Sequence, residues 1–308
     1  MNRFIRLRLL AMLLCLPFLL IFISGCGSSS QKKDDPPVYS PLQVLVPEAT
    51  GKETIGSSPM ILDVSNISQG YFIAQSDSSD LTCSLQIISP SGVLYSYFIA
   101  PGESATVTFT EGSGDYTITG YQQVQGDQYA ALYSETVTVQ LENDFLPFLY
   151  PNQYVNFTPD SKASQLALSL IDEDTVDVDA LRQIYDYVVS NLTYDYEKAD
   201  TVTTGYLPDV DETLKTGTGI CFDYAALTTA MLRSCDIPCK LQIGYAGDIK
   251  HAWIDVYIRS KGWVNQAVSF KGDTWTLMDP TFDSNSDDKE AIQDYIGDES
   301  NYTVQFTR

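Results

Sequence analysis

Gly217-Thr218-Gly219-Ile220-Cys221-Phe222-Asp223-Tyr224-Ala225 opens the stretch that decides the fold, and Asp236-Ile237-Pro238-Cys239 closes it. Two glycines free the backbone just before Cys221. Ala225, Ala226, Thr229 and Leu232 then recur at helical spacing, and Pro238 lies just beyond. This spacing predicts a helix from Cys221 to about Arg233. Downstream, segments 240–245, 251–258, 263–270 and 275–279 read as strands. Upstream, Asp179 is placed to cap a helix with Leu181, Ile184, Tyr185, Val188, Val189 and Leu192 on one face. Tyr196 to Thr218 is a long connection and a candidate substrate-contacting loop. Helices followed by antiparallel strands make residues 146–308 an α+β domain.

The same stretch carries chemistry. A cysteine at a helix start meets the partial positive charge of free N–H groups, which favours thiolate over thiol. Its own N–H is placed to donate to an oxyanion formed at any carbonyl the sulfur attacks. The chain has a single histidine, His251, in His251-Ala252-Trp253-Ile254-Asp255-Val256-Tyr257-Ile258. Sites that need two histidines are therefore excluded. On a strand, His251, Trp253, Asp255 and Tyr257 share one face. That face is expected to line a cleft against the Cys221 helix, and Ala252, Ile254, Val256 and Ile258 are expected to enter the core. Asp279, in Leu277-Met278-Asp279-Pro280-Thr281, is a candidate to orient the imidazole. Asp255 lies about 13 Å along the strand, too far for that task.

The motifs G-I-C-F-D-Y-A, D-I-P-C-K-L-Q-I-G-Y, H-A-W-I-D-V-Y-I and W-T-L-M-D-P-T-F, in this order, resemble the transglutaminase-like superfamily over roughly residues 179–282. The resemblance implies a papain-like fold with a Cys221, His251 and Asp279 triad. Tyr194 is a candidate second oxyanion donor, because aromatic residues upstream of the nucleophile serve there in some relatives. One position departs from the pattern: Asp236 stands where a glycine is often found. Nothing in the chain suggests calcium or nucleotide regulation, so no cofactor and no metal are expected. The implied reaction is thioester chemistry on amide or peptide bonds, as a peptidase or amidase or as a transglutaminase-type acyl transferase. The alternative is a surface binding module that uses the same cleft without turnover. The expected partner is a protein or peptide, with cell-wall peptide among the candidates.

The N-terminus reads as an address. Arg3, Arg6 and Arg8 precede an apolar run of 15 residues, Leu9 to Ile23. That run is shorter than the roughly 20 residues of a spanning helix. Ile23-Ser24-Gly25-Cys26 resembles the lipobox of bacterial lipoproteins. It implies that residues 1–25 are a signal peptide, that Cys26 is lipidated, and that the protein sits on the extracytoplasmic side of a bacterial membrane. Residues 26–40 read as a flexible tether. The whole chain carries a net charge of −22, and removal of residues 1–25, with three arginines and no carboxylate, brings this to −25. Such acidity argues against nucleic acid as a partner. Cys83, Cys235 and Cys239 remain, and they are read first as buried thiols, with a single disulfide among them as the alternative.

Residues 41–145 differ in kind. Segments 60–64, 81–88, 93–99, 105–110, 116–121 and 130–141 are rich in Val, Ile, Thr, Tyr and Phe, with turn sequences between several of them. They predict an all-β sandwich-like domain ahead of the catalytic one. The plain role for it is a spacer; the sharper one is binding a ligand or the cell wall.

Overall fold

The computed structural model describes residues 35–172, 174–271, 274–277 and 302–308. The proposed lipid site Cys26 and the proposed triad member Asp279 both lie outside the described residues.

The first half of the chain is strands. β1 (Thr54–Ser57), β2 (Met60–Asp63), β3 (Tyr71–Ser76) and β6 (Ser104–Thr108) form one antiparallel sheet in the order β1-β2-β3-β6. β4 (Cys83–Ile88), β5 (Leu94–Ile99), β7 (Gly114–Gln125) and β8 (Gln128–Val139) form a second, in the order β5-β4-β7-β8. Alternation sets the inner faces: Leu85 and Ile87, Tyr95 and Tyr97, and Tyr116 and Ile118 are buried, joining Leu62, Phe72 and Ala74 in one core. The tyrosines enter because their hydroxyls find partners. Tyr116 donates to Gly112 O at 2.8 Å, Tyr95 bonds Glu111, and Tyr97 accepts from Arg308 Nη1 at 2.6 Å.

The second half begins with α1 (Lys162–Leu170) and α2 (Asp177–Asn191). Next come the short strand β9 (Thr193–Tyr194), α3 (Tyr196–Thr201), α4 (Val210–Thr216), the short strand β10 (Thr218–Gly219) and α5 (Cys221–Arg233). β11 (Cys239–Ala246), β12 (Ile249–Ile258), β13 (Gly262–Lys271), β14 (Thr274–Leu277) and β15 (Tyr302–Thr307) then form an antiparallel sheet in the order β14-β13-β12-β11-β15. Every residue of α5 from Asp223 to Arg233 is buried. Such a helix belongs in the middle of a fold, and α1, α2, α4 and the sheet surround it.

Several expectations need correction. Asp179 does not cap α2: the helix begins at Asp177 after Val176, and Asp179 lies in its first turn, where a carboxylate still meets the N-terminal dipole. The Tyr196–Thr218 connection contains two helices, α3 and α4, capped by the Asp195 and Asp209 carboxylates. β1, β3, α1 and β15 have no counterpart in the sequence expectations. Ala252, Ile254, Val256 and Ile258 of β12 do enter the core, as expected, and share it with α5. The most apolar helix covers the most apolar face. The three cysteines expected as buried thiols, Cys83, Cys235 and Cys239, are free and buried.

Two arginines join the halves. Arg233 is wholly buried. Its Nε and Nη2 donate to Cys239 O at 3.0 and 2.8 Å, its Nη1 to Tyr150 O at 2.8 Å and its Nη2 to Arg308 O at 2.9 Å. Burial lowers its pKa to about 10, so it remains charged at neutral pH with backbone carbonyls around it. Arg308 extends the β11–β15 pairing and places its guanidinium 4.0 Å from the Tyr154 ring centre, 4.7 Å from Tyr95 and 4.8 Å from Tyr97.

Candidate active site

The site is built around the first turn of α5. Gly217 ends α4 at φ 63°, a left-handed conformation suited to glycine. At Gly219 the constraint is space: an added Cβ would come within 2.7 Å of Asp223 Cβ and 3.1 Å of its Oδ2. Asp223 is fully buried, and its Oδ2 accepts from Ile220 N at 2.8 Å, so the N-cap amide of α5 is satisfied from within the helix. The same oxygen accepts from Lys198 Nζ at 2.7 Å, and its other oxygen accepts from the Tyr206 hydroxyl. Lys198 Nζ also donates to the Tyr206 hydroxyl at 2.7 Å. Burial opposes charge on Lys198, but its bonds to Asp223 and Tyr206 outweigh that and hold its pKa above the ordinary lysine value. Burial, reinforced by Asp223, pushes Tyr206 up to about 12. One carboxylate thus ties α3 and the segment after it to the turn that carries Cys221. Sequence reasoning missed this role; an acid two residues past a cysteine at a helix start is the only local signal.

Cys221 is half-buried. Burial raises the pKa of its thiol, and the backbone N–H groups of Ala252, Phe222 and Cys221 itself pull against that without reversing it. The amides act toward thiolate, as the helix start leads one to expect, and desolvation outweighs them. The Ala252 amide facing the sulfur puts Cys221 against β12 at the residue next to His251. The hydroxyl of Tyr194 lies at the Cys221 backbone N–H, and its ring stands edge-on to Tyr196 at 4.9 Å. Burial, with Cys221 next in weight, raises the Tyr194 pKa to about 12, so it is a protonated donor at neutral pH.

His251 is buried, its Nε2 makes no hydrogen bond among the described residues, and its ring stacks on Trp253 with centres 6.2 Å apart. Burial lowers its pKa to about 4, which leaves the imidazole neutral at pH 7. It pairs across the sheet with Gly244, where an added Cβ would meet Thr303 O at 2.0 Å. That glycine lets β15 approach, and β15 brings Tyr302 edge-on to Trp253 at 5.2 Å. Asp255, judged too distant to orient the ring, accepts from Gln242 Nε2 at 2.7 Å instead. The structure therefore brings Cys221, Tyr194 and the backbone beside His251 together at one place.

Asp236, the departure from the family pattern, has φ 57° and is buried. A left-handed position explains why glycine is favoured there, and Asp is among the few other residues that tolerate it. Its Oδ2 accepts from Tyr39 N at 3.2 Å, and its Oδ1 has no partner among the described residues. Burial raises its pKa to about 7, with Arg259 pulling the other way.

Residues 164–280 match the family model for the transglutaminase-like superfamily. A comparison with curated proteins returned no match. Among solved structures, a "putative cysteine protease" of Cytophaga hutchinsonii is 18% identical, with 83% of this chain and 84% of that one covered and a TM-score of 0.37. A "putative protease" of Parabacteroides distasonis is 14% identical, with 61% and 38% covered and a TM-score of 0.29. Red sea bream transglutaminase is 15% identical, with 68% and 48% covered and a TM-score of 0.24. The chain spans less than half the length of the last two. It carries a transglutaminase-like domain at residues 164–280.

Proposed function

We propose that this domain is a cysteine acyl-transfer enzyme with Cys221 as nucleophile, His251 as base and Asp279 as the carboxylate that orients it. The observation that carries the reading is the convergence at the start of α5: a thiol, its own amide beside the Tyr194 hydroxyl, and the backbone next to the single histidine. Burial raises the thiol pKa and lowers the imidazole pKa to about 4. His251 takes the thiol proton as Sγ attacks an amide carbonyl. The Cys221 N–H and the Tyr194 hydroxyl donate to the oxyanion. His251 then returns the proton to the leaving amine, and a thioester remains. Water needs no acceptor site of its own, so hydrolysis by a peptidase or amidase is the favoured outcome, and transfer to an amine is the other.

The substrate is a protein or peptide, cell-wall peptide included. The protein is held on the outer side of a bacterial membrane through lipid on Cys26, with the strand-rich half acting as a separate sandwich-like domain.

Cys221→Ala is expected to abolish labelling by an alkylating probe and to lower turnover at least about 10³-fold. Unchanged labelling would sink the nucleophile assignment. Amine-tagged acceptor recovered on substrate would decide for transfer over hydrolysis. One feature favours the binding-module reading: burial raises the pKa of the Cys221 thiol. Tight peptide binding unaffected by His251→Ala, with no turnover by wild type, would decide for it.

A further inference from the structure

We propose that the outer face of the β5-β4-β7-β8 sheet binds a neutral saccharide. Ser84 on β4 stands opposite Phe98 on β5 and Tyr121 on β7, and in the next row Gln86 stands opposite Ser96. All five point away from the core by the alternation that buries Leu85, Ile87 and Tyr97. Register shifts at Gly120/Tyr121 and Gln123/Gln125 mark bulges in the β7–β8 hairpin. Bulges bend a strand and increase its twist. Tyr129 on β8 reaches back so that its ring lies 6.3 Å from that of Phe98, tilted by 56°. A hollow of about 240 Å³ results, lined by Ser84, Gln86, Ser96, Phe98, Tyr121 and Tyr129.

The lining selects the ligand. It contains no charged residue, so nothing in it recognises an ion, and a chain of net charge −22 repels anions. Phe98 is 49% exposed, so with Tyr129 beside it an aromatic surface is open to a ligand. The side chains of Ser84, Gln86, Ser96, Tyr121 and Tyr129 make no hydrogen bond with a described residue, so their donors and acceptors are unused. Aromatic faces beside free hydroxyls and an amide match a sugar ring, which offers C–H faces and equatorial hydroxyls together. A peptide added to the sheet edge fits less well. On edge strand β5 the Ser96 and Phe98 carbonyls already accept from Tyr154 OH at 3.0 Å and Gln153 Nε2 at 2.7 Å.

The test is calorimetric titration of the full chain with β-1,4-linked tetramers of N-acetylglucosamine, glucose, xylose and mannose. At least one is expected to bind with a roughly millimolar or tighter Kd. Phe98→Ala and Gln86→Ala should each weaken it about tenfold or more, the change that one lost good contact brings. Ser96→Trp, which fills the hollow, should abolish it. The variants lie on an outer face and should leave the unfolding midpoint and Cys221 alkylation unchanged. Prior alkylation of Cys221 should leave saccharide binding intact. The proposal is overturned if no tetramer binds, if the three variants bind as wild type does, or if alkylation of Cys221 removes binding.

Discussion

The two ends of α5 solve the problem of a buried charge in opposite ways. At the start, the Asp223 carboxylate meets a lysine, a tyrosine and a backbone amide, all supplied by residues 195–223, and Lys198 is partly open to water. At the finish, the Arg233 guanidinium meets the carbonyl of Cys239, six residues on, and those of Tyr150 and Arg308, from two distant segments. The first arrangement is local and reaches the surface; the second is long-range and sealed. The start of the helix can therefore be tuned without unfolding the protein, whereas the finish is where the fold is closed.

The largest effect should come from breaking the sealed end. Arg233→Met leaves buried carbonyls without donors and should lower stability by about 3–5 kcal/mol, read by urea unfolding. Activity per folded molecule should stay near that of wild type. Loss of activity without loss of stability would mean that the two ends do not differ as described.

Lys198→Met should act the other way. Because Lys198 is partly exposed, the loss of stability should be modest, about 1–2 kcal/mol. Alkylation of Cys221 and turnover should fall about tenfold, because the turn that aims the thiol loses an anchor. A matching fall in stability with unchanged turnover would make Lys198 structural only.

The smallest effect is a slope. Asp236, just past the finish of α5, has a folded pKa of about 7 against an ordinary value of 3.8. Its raised value means that the folded state holds a proton the unfolded chain has released. Its contribution is therefore present at low pH and lost as pH rises from about 4 to about 7, by at most about 1.4 kcal/mol per pH unit. His251, lowered from 6.5 to about 4, has the opposite sign, because the unfolded chain holds the proton there. From pH 4 to 6.5 the two oppose each other. Asp236→Asn should turn this part of the stability profile upward with pH relative to wild type. An unchanged profile would show that Asp236 is ionised in the fold.

What was legible in the sequence followed from local rules. The limits of α5 came from two glycines, a helical spacing and Asp-Ile-Pro, and the observed helix is Cys221–Arg233 as expected. The strands of the second sheet came from runs rich in Val, Ile, Thr, Tyr and Phe with turn sequences between several of them. β3 was not read, and its four successive buried residues, Tyr71 to Ala74, show no alternation. α1 has nine residues, too few to show a long apolar stripe. Cys221 and Tyr194 are both candidates from the sequence, and the Tyr194 hydroxyl lies at the Cys221 N–H. The partners of Asp223 were not anticipated, since they lie 17 and 25 residues away with no periodicity linking them. Nor was the thiol's raised pKa: burial is a property of the packed molecule, and the helix start is visible without it.

One contact described above also fixes a direction. Tyr39, near the start of the described chain, is held by Asp236 at one end of α5, and Cys221 opens the other. A helix of 13 residues separates those ends by about 20 Å. Tyr39 is therefore fixed at one end of the central helix, and the thiol lies at the other.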